Sequence, residues 1–321
     1  MGLKNKNVLV TGGAGFIGSH LVDSIIKENP ENLTIISNFF LGKEENLQEA
    51  KISFPKLKLY HASVADYDVT KRIFEKENFD VVYNLAVIPL IASLEDPLWS
   101  TMENVKIAIN ICELLRKDYF KKLIHFSSSE AYGSAVNVPM NEKHELNPET
   151  PYAASKASGD LIVSSYCRTF KLDASILRPF NNYGPRQNSG KFAAIIPVMI
   201  KKIMDNENAL TINGDGEQTR DFIFVKDTAR AAIEFAKTNN IIGKTINIAS
   251  GKEVSMNNLV SLLVKEFNYK GKIIHGPERV GDVRRHFADT SLAKKLLNFE
   301  TKTSFQDGIK ITCDWYKKDL K

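Results

Sequence analysis

The sequence predicts an α/β fold: a doubly wound parallel sheet with a smaller C-terminal lobe over its strand ends. Three observations carry this. The chain opens on a short β-branched run, a glycine-rich turn and a helical pattern. Apolar runs then alternate with helical periodicity as far as Gly184, the pattern of a parallel sheet covered by helices on both faces. Beyond Gly184 that rhythm gives way to shorter, mixed elements.

The first unit is Asn7-Val8-Leu9-Val10, then Thr11-Gly12-Gly13-Ala14-Gly15-Phe16-Ile17-Gly18, then Ser19 to Ile26 with apolar residues at helical spacing. The glycines read as 13, 15, 18 or as 12, 15, 18. Gly12 or Gly13 permits the tight turn, Gly15 lets backbone approach a pyrophosphate, and Gly18 lets the helix pack on the strand. The helix N-terminus then faces the phosphates. Leu33 to Ile36 is the second strand. Its end carries Ser37 and Asn38 where a dinucleotide fold usually places an acidic residue for the ribose. With no arginine near and Lys43 the nearest cation, the residues favour NAD and leave NADP open. Leu57 to Tyr60 is the third strand and leads to Ser63 and Val64, candidates for the adenine edge and face. Asp80 to Ala86 is the fourth, with Leu85 and Ala86 at the end that should lie under a cofactor. Asp96 to Lys117 reads as a long amphipathic helix whose buried stripe is Ile107, Ile111, Leu114 and Leu115.

Lys122 to Phe126 is the fifth strand, and it delivers Ser127-Ser128-Ser129-Glu130 to a strand's C-terminal end, where open α/β sheets bind ligands. A helix from Tyr152 to about Phe170 follows. Tyr152 and Lys156 are four residues apart and share one helix face. A lysine beside a phenol favours the phenolate, so the spacing predicts a Tyr152 pKa lowered towards neutrality. Such a tyrosine can take a proton from a hydroxyl group as hydride leaves the carbinol carbon. Leu172 to Leu177 is the sixth strand, ending at Arg178-Pro179-Phe180-Asn181. In the remainder, Ile195–Met204, Asp227–Ala236 and Met256–Phe267 read as helices, and 210–212, 222–225 and 244–248 as strands. The organisation predicted is residues 1–180 with returning segments near 221–248, and a lobe formed mostly by 181–321.

The totals narrow the function. The 321 residues are 43% hydrophobic and 25% charged, which is ordinary globular composition. The net charge of +5 is scattered, with no basic cluster and interleaved aromatics, so nucleic acid is not the expected partner. Cys112, Cys167 and Cys313 lie far apart with no metal-ligand spacing, which predicts a reducing cytoplasm and no metal. The most apolar run, Val81 to Ala92, is broken by Asn84 and Pro89, and no membrane partner is expected.

With these motifs in order, the chain resembles the extended short-chain dehydrogenase/reductases, in particular the NAD-dependent nucleotide-sugar epimerase/dehydratase family. The resemblance spans nearly the whole length and rests on residues 11–18, Asn84-Leu85-Ala86, the serine run, Tyr152-Ala153-Ala154-Ser155-Lys156, Arg178-Pro179-Phe180-Asn181, Gly214-Asp215-Gly216 and Arg220-Asp221. It implies a Rossmann-like sheet with a substrate-binding C-terminal lobe. It implies NAD as cofactor, held by Gly12, Gly15, Phe16, Ile17, Gly18, Ser37, Asn38, Ser63, Val64, Leu85, Ala86, Tyr152, Lys156 and Phe180. It makes Tyr152 the acid or base at the C4 hydroxyl, Lys156 its tuner and Ser128 the group that bonds O4. Asn181, Arg220 and Arg279 become contacts to the diphosphate of a nucleotide-diphosphate sugar, for which arginine is geometrically suited. A homodimer through the two long helices is implied as well. Family members often carry Asp where this chain has Ser37 and Ser63.

The branch within the family turns on Ser129-Glu130. A dehydratase needs a base for the C5 proton and an acid for the departing 6-hydroxyl. An epimerase needs neither, and its matching stretch is often all Ser, Thr and Ala. The sequence therefore favours a 4,6-dehydratase with Glu130 as base. The alternatives are a 4-epimerase and a sugar-acid decarboxylase, which also carries a Ser-Glu pair. Retention of Ser128, Tyr152 and Lys156 argues against a non-catalytic, dinucleotide-sensing regulator.

Overall fold

The computed structural model describes residues 2–278 and 284–319. The first half runs β1 (Asn7–Thr11), α1 (Phe16–Ile26), β2 (Asn32–Ser37), α2 (Gln48–Ser53), β3 (Lys58–His61), α3 (Tyr67–Glu77), β4 (Val81–Asn84), α4 (Leu90–Glu95), α5 (Pro97–Arg116), β5 (Lys122–Phe126), α6 (Pro151–Phe170) and β6 (Ala174–Pro179). The second half runs β7 (Asn181–Tyr183), α7 (Ile195–Met204), β8 (Ala209–Asn213), β9 (Thr219–Arg220), β10 (Phe222–Phe224), α8 (Val225–Lys237), β11 (Thr245–Ile248), β12 (Val254–Ser255), α9 (Met256–Phe267), β13 (Lys272–Gly276), α10 (Ser291–Leu297) and α11 (Phe305–Asp319).

Seven strands form one parallel sheet in the order β11-β6-β5-β4-β1-β2-β3. The order reverses between β1 and β4, which opens a crevice beyond their carboxyl ends. Strand alternation explains why both faces are covered. Along β1, Val8 and Val10 join one apolar cluster with Leu21, Val22 and Ile25 of α1 and Phe235 of α8. Leu9 between them points the other way, into a cluster with Phe74 of α3, Ile107 and Ile111 of α5, and Val163 of α6. Side chains withdrawn this completely contribute roughly 1.5–3 kcal/mol each. The predicted stripe of α5 (Ile107, Ile111, Leu114, Leu115) is buried as expected. A third cluster gathers Ile196 and Ile200 of α7, Leu210 of β8, Leu259 and Leu263 of α9, and Ile309 and Tyr316 of α11 beside the strand ends.

The helix that carries Tyr152 starts where its sequence dictates. Thr150 is its N-cap, its hydroxyl accepting from Ala153 N–H at 3.1 Å, and Pro151 occupies the first turn. It ends at Lys171, which takes the left-handed conformation with φ 57°.

Several elements differ from the sequence reading. Helix α3 and helix α11 are additional, although each carries a local signal. Asp66 caps α3 by accepting from Val69 N–H at 3.0 Å, and Ile309, Cys313 and Tyr316 bury one face of α11. Strand β13 is also additional, because its pairing partner β8 lies some sixty residues earlier in the chain. Helix α8 begins at Val225, shortening the expected strand 222–225 by one residue. The three cysteines are buried and free. Among the described residues no helix is long and apolar enough to cross a membrane.

Candidate active site

A cavity of about 450 Å³ opens at the carboxyl ends of β1, β2, β4, β5 and β6. Its floor is the glycine turn. Gly12 has φ +68°, and a Cβ there would stand 3.0 Å from Ala86 N across the switch point. Gly12 is therefore the turn glycine, and the 12, 15, 18 reading holds. A Cβ on Gly18 would lie 2.3 Å from the Gly12 carbonyl oxygen, so only glycine lets α1 pack this close to the turn. On Gly15 a Cβ would meet only the Gly12 carbonyl oxygen, at 3.1 Å, and the residue lines the cavity. Gly15 also caps α1 without a side chain, which leaves the first-turn N–H groups and the positive end of the helix dipole suited to an anion. This cradle fits a dinucleotide pyrophosphate.

Sequence reasoning placed Leu85 and Ala86 on this wall but missed what holds them. The Thr11 hydroxyl accepts from both of their N–H groups at 3.1 Å and donates to Asn84 Oδ1 at 2.8 Å. The Asn84 amide in turn bonds His125 Nδ1 at 3.1 Å. The signal was a buried threonine at a strand end, which has no distinct pattern in sequence. At the adenosine end, Ser37, Asn38, Ser63 and Val64 all line the cavity. The side chains of Ser37, Asn38 and Ser63 also close their own turns, accepting from Phe39, Phe40 and Ala65 N–H respectively. Among the described residues the only carboxylates lining this cavity are Glu103 and Glu130.

The chemical end assembles from two elements. Ser128, after β5, caps a short turn at Ser129–Tyr132, its hydroxyl accepting from Glu130 N–H at 3.2 Å. Tyr152, in the first turn of α6, is half-buried and hydrogen-bonds Ser128. Lys156, one turn on, is buried and donates to the Phe126 carbonyl. Glu130 is half-buried on the cavity wall and Ser129 is buried against it.

The protonation states correct the sequence expectation. Burial first, then the charges of Glu130 and Asp160, push the Tyr152 phenol up to about 12, and the Ser128 hydrogen bond offsets only part of this. Burial pulls Lys156 down to about 8, while Asp160 raises it. The tyrosine is not lowered towards neutrality. Desolvation dominates both groups, and the lysine's amine is directed to the Phe126 carbonyl.

Asn181 and Arg220 lie together on a second cavity of about 390 Å³ that shares Pro89, Leu90, Asn181, Ala194, Ile195 and Phe222 with the first. The Asn181 amide donates to the Asp221 carbonyl at 3.2 Å, and Arg220 Nη1 to the Thr219 carbonyl at 2.8 Å. Phe180 is buried at the end of β6, on the wall of the first cavity. Arg279 lies outside the described residues. The apolar wall segment Val87-Ile88-Pro89-Leu90 escaped the sequence reading because it resembles any hydrophobic loop.

A family model described as GDP-mannose 4,6 dehydratase matches residues 9–312. The chain belongs to that family. Its members are NAD-dependent nucleotide-sugar epimerases and dehydratases of the extended short-chain dehydrogenase/reductase type. The putative UDP-glucose 4-epimerase of Methanocaldococcus jannaschii is 36% identical over 313 residues, covering 97% of this chain and 99% of that protein. The structure of UDP-glucose 4-epimerase from Thermotoga maritima with UDP-glucose matches with TM-score 0.91 at 32% identity, over 98% of this chain and 100% of that one. The structure of a dTDP-glucose 4,6-dehydratase from Streptomyces venezuelae, with NAD bound, matches with TM-score 0.90 at 27% identity, over 98% and 97%. This epimerase/dehydratase therefore has relatives on both branches of its family.

Proposed function

We propose that the chain is a nucleotide-sugar 4,6-dehydratase that works through a 4-keto sugar. The observation that carries this reading is the carboxylate of Glu130 on the cavity wall beside Ser128 and Tyr152. When bound, NAD would supply the hydride-accepting and hydride-donating chemistry for C4 and C6. Gly12, Gly15, Phe16, Ile17 and Gly18 would hold its pyrophosphate. Ser37, Asn38, Ser63 and Val64 would hold its adenosine, and Leu85, Ala86, Tyr152, Lys156 and Phe180 its reactive end.

The residues divide the proton transfers among themselves. Ser128 orients the sugar O4 against Tyr152, and Tyr152 takes the O4 proton. The charge of Lys156 favours the phenolate that does so. The resulting 4-ketone acidifies C5–H, and Glu130 takes that proton. A serine hydroxyl is a poor acid, so Ser129 does not protonate the leaving group. Glu130 passes its proton to the departing 6-hydroxyl, and the sugar loses one water to leave a 5,6-alkene. As hydride is returned to C6, Glu130 delivers a proton taken from solvent to C5, and Tyr152 gives up the O4 proton to solvent. Asn181 and Arg220 would hold the diphosphate in the second cavity.

A 4-epimerase is the second reading, favoured by the two relatives named UDP-glucose 4-epimerase. Incubation with a panel of UDP-, GDP-, CDP- and dTDP-sugars, with products read by mass and NMR, separates the two. The dehydratase reading expects loss of one water and a C6 methyl group. A product with C4 inverted and its 6-hydroxyl retained would overturn it.

The assembly proposed is a homodimer through α5 and α6. Leu98, Met102 and Ile109 are exposed at positions that share one face of α5, and Leu161 is exposed on α6. Light scattering at micromolar concentration should give twice the 36.0 kDa chain mass. A monomer mass would count against this assembly.

A further inference from the structure

Beneath the Tyr152–Lys156 pair lies a buried charge network that the proposed chemistry does not use. Residues 152, 156 and 160 follow at one-turn intervals on α6 and so share a face. Each meets the end of β5 or the residues just after it. Tyr152 bonds Ser128, Lys156 donates to the Phe126 carbonyl, and Asp160 Oδ2 accepts from the Ser127 hydroxyl at 2.5 Å. Three turns of helix are thus fastened to three consecutive residues, 126 to 128.

Arg178 of β6 closes the network. Its Nη2 donates to the same Asp160 Oδ2 at 2.6 Å and its Nε to the Ser127 hydroxyl at 3.3 Å. Its guanidinium lies 4.4 Å from the centroid of the Tyr132 ring. The Asp160 and Arg178 side chains are each only 3% exposed. Asp160 Oδ1 is buried without a hydrogen-bond partner among the described residues. A carboxylate buried this deeply is costly unless cations stand near it. Two do: Arg178 by direct contact, and Lys156 one turn away on the same helix face.

We propose that Asp160 is a positioning residue for Lys156: clamped by Ser127 and Arg178, its carboxylate keeps the lysine charged and holds α6 in register with the serine run, so that Tyr152 meets Ser128. This rests on the reading of Tyr152 and Lys156 as the proton-transfer pair. The titratable groups that bear on Lys156 are Asp160, one turn along its own helix, and His125 of β5, with Tyr152 one turn before it on the same face. Burial keeps His125 neutral, and Arg178 pairs with Asp160 itself. Asp160 is the group that raises Lys156 against the pull of burial. Without its charge the lysine gives up its proton at lower pH.

The test compares wild type, Asp160→Asn, Asp160→Glu and Ser127→Ala as purified holoenzymes. The pH dependence of kcat is measured beside the titration of Lys156 in protein carrying 15Nζ-labelled lysine, with the resonance assigned by its loss in Lys156→Arg. Wild type should lose activity above the lysine's pKa of about 8. In Asp160→Asn both the alkaline limb and the resonance should move to lower pH by about one unit or more, and Asp160→Glu should restore them. Ser127→Ala keeps every charge, so its limb should stay in place while kcat falls about tenfold, as expected for a small misplacement of the reacting groups. If Lys156 titrates unchanged in Asp160→Asn, the charge role is overturned. If Asp160→Asn does not fold, Ser127→Ala decides the positioning role, and an unchanged kcat overturns it. Turnover that survives Tyr152→Phe would sink the functional reading instead, and the NMR titration would still decide whether Asp160 holds the charge of Lys156.

Discussion

Tyr152→Phe should lower turnover by about 10²–10⁴-fold, the range that a positioned acid or base supplies, while leaving the fold and dinucleotide binding in place. The ring stays and only the hydroxyl that meets Ser128 is lost. The loss should be large because, among the described residues, no other phenol lines the cavity. Lys156 is directed to the Phe126 carbonyl, and Glu130 stands on a neighbouring turn. The measurement is turnover at saturating nucleotide sugar, with NAD affinity determined separately by calorimetry. Turnover within tenfold of wild type would show that another group takes the O4 proton. Because the phenol is pushed up to about 12, it does not titrate between acid and neutral pH, and wild-type activity should show no limb from Tyr152 there. Activity should fall as Lys156 discharges near pH 8.

Glu130→Gln is expected to have the second largest effect, and on a different step. Glutamine keeps the shape and the cavity contact but accepts no proton from C5. Dehydration should fall by about 10²-fold or more, while oxidation at C4 by Tyr152 continues. In deuterated water the wild-type product should carry deuterium at C5, and the variant should incorporate none. A variant that dehydrates at the wild-type rate would return Glu130 to a structural role and leave the epimerase as the better reading. The two substitutions therefore divide the mechanism: loss in the first speaks to the shared oxidation, loss in the second to the branch.

Much of the site was legible because its signals are local. The glycine turn needs residues that tolerate left-handed backbone and close approach, and Gly15 and Gly18, with Gly12 or Gly13, announce this by spacing alone. Tyr152 and Lys156 lie on one helix, where four residues make one turn. Ser128 follows an apolar run that could only be a buried strand. The choice between Gly12 and Gly13 was not legible, since it depends on which residue takes φ +68° against the Leu85–Ala86 backbone. The Thr11–Asn84–His125 relay and the Ser127–Asp160–Arg178 network were equally hidden. Their members come from different strands and helices, and no sequence period links them.

By itself, then, the sequence determined the α/β class, the strand–turn–helix that opens the chain and the one-turn spacing of Tyr152 and Lys156 on α6. All of these follow from backbone preference, side-chain period and short spacing, which act within a few residues. The tertiary structure decided the charges of the groups that do the chemistry. A pKa depends on how much water a side chain keeps and which charges stand near it, and the burial is set largely by segments far away in the chain. Burial pushes Tyr152 up to about 12, with Glu130 and Asp160 adding to it, and pulls Lys156 down to about 8 against the charge of Asp160.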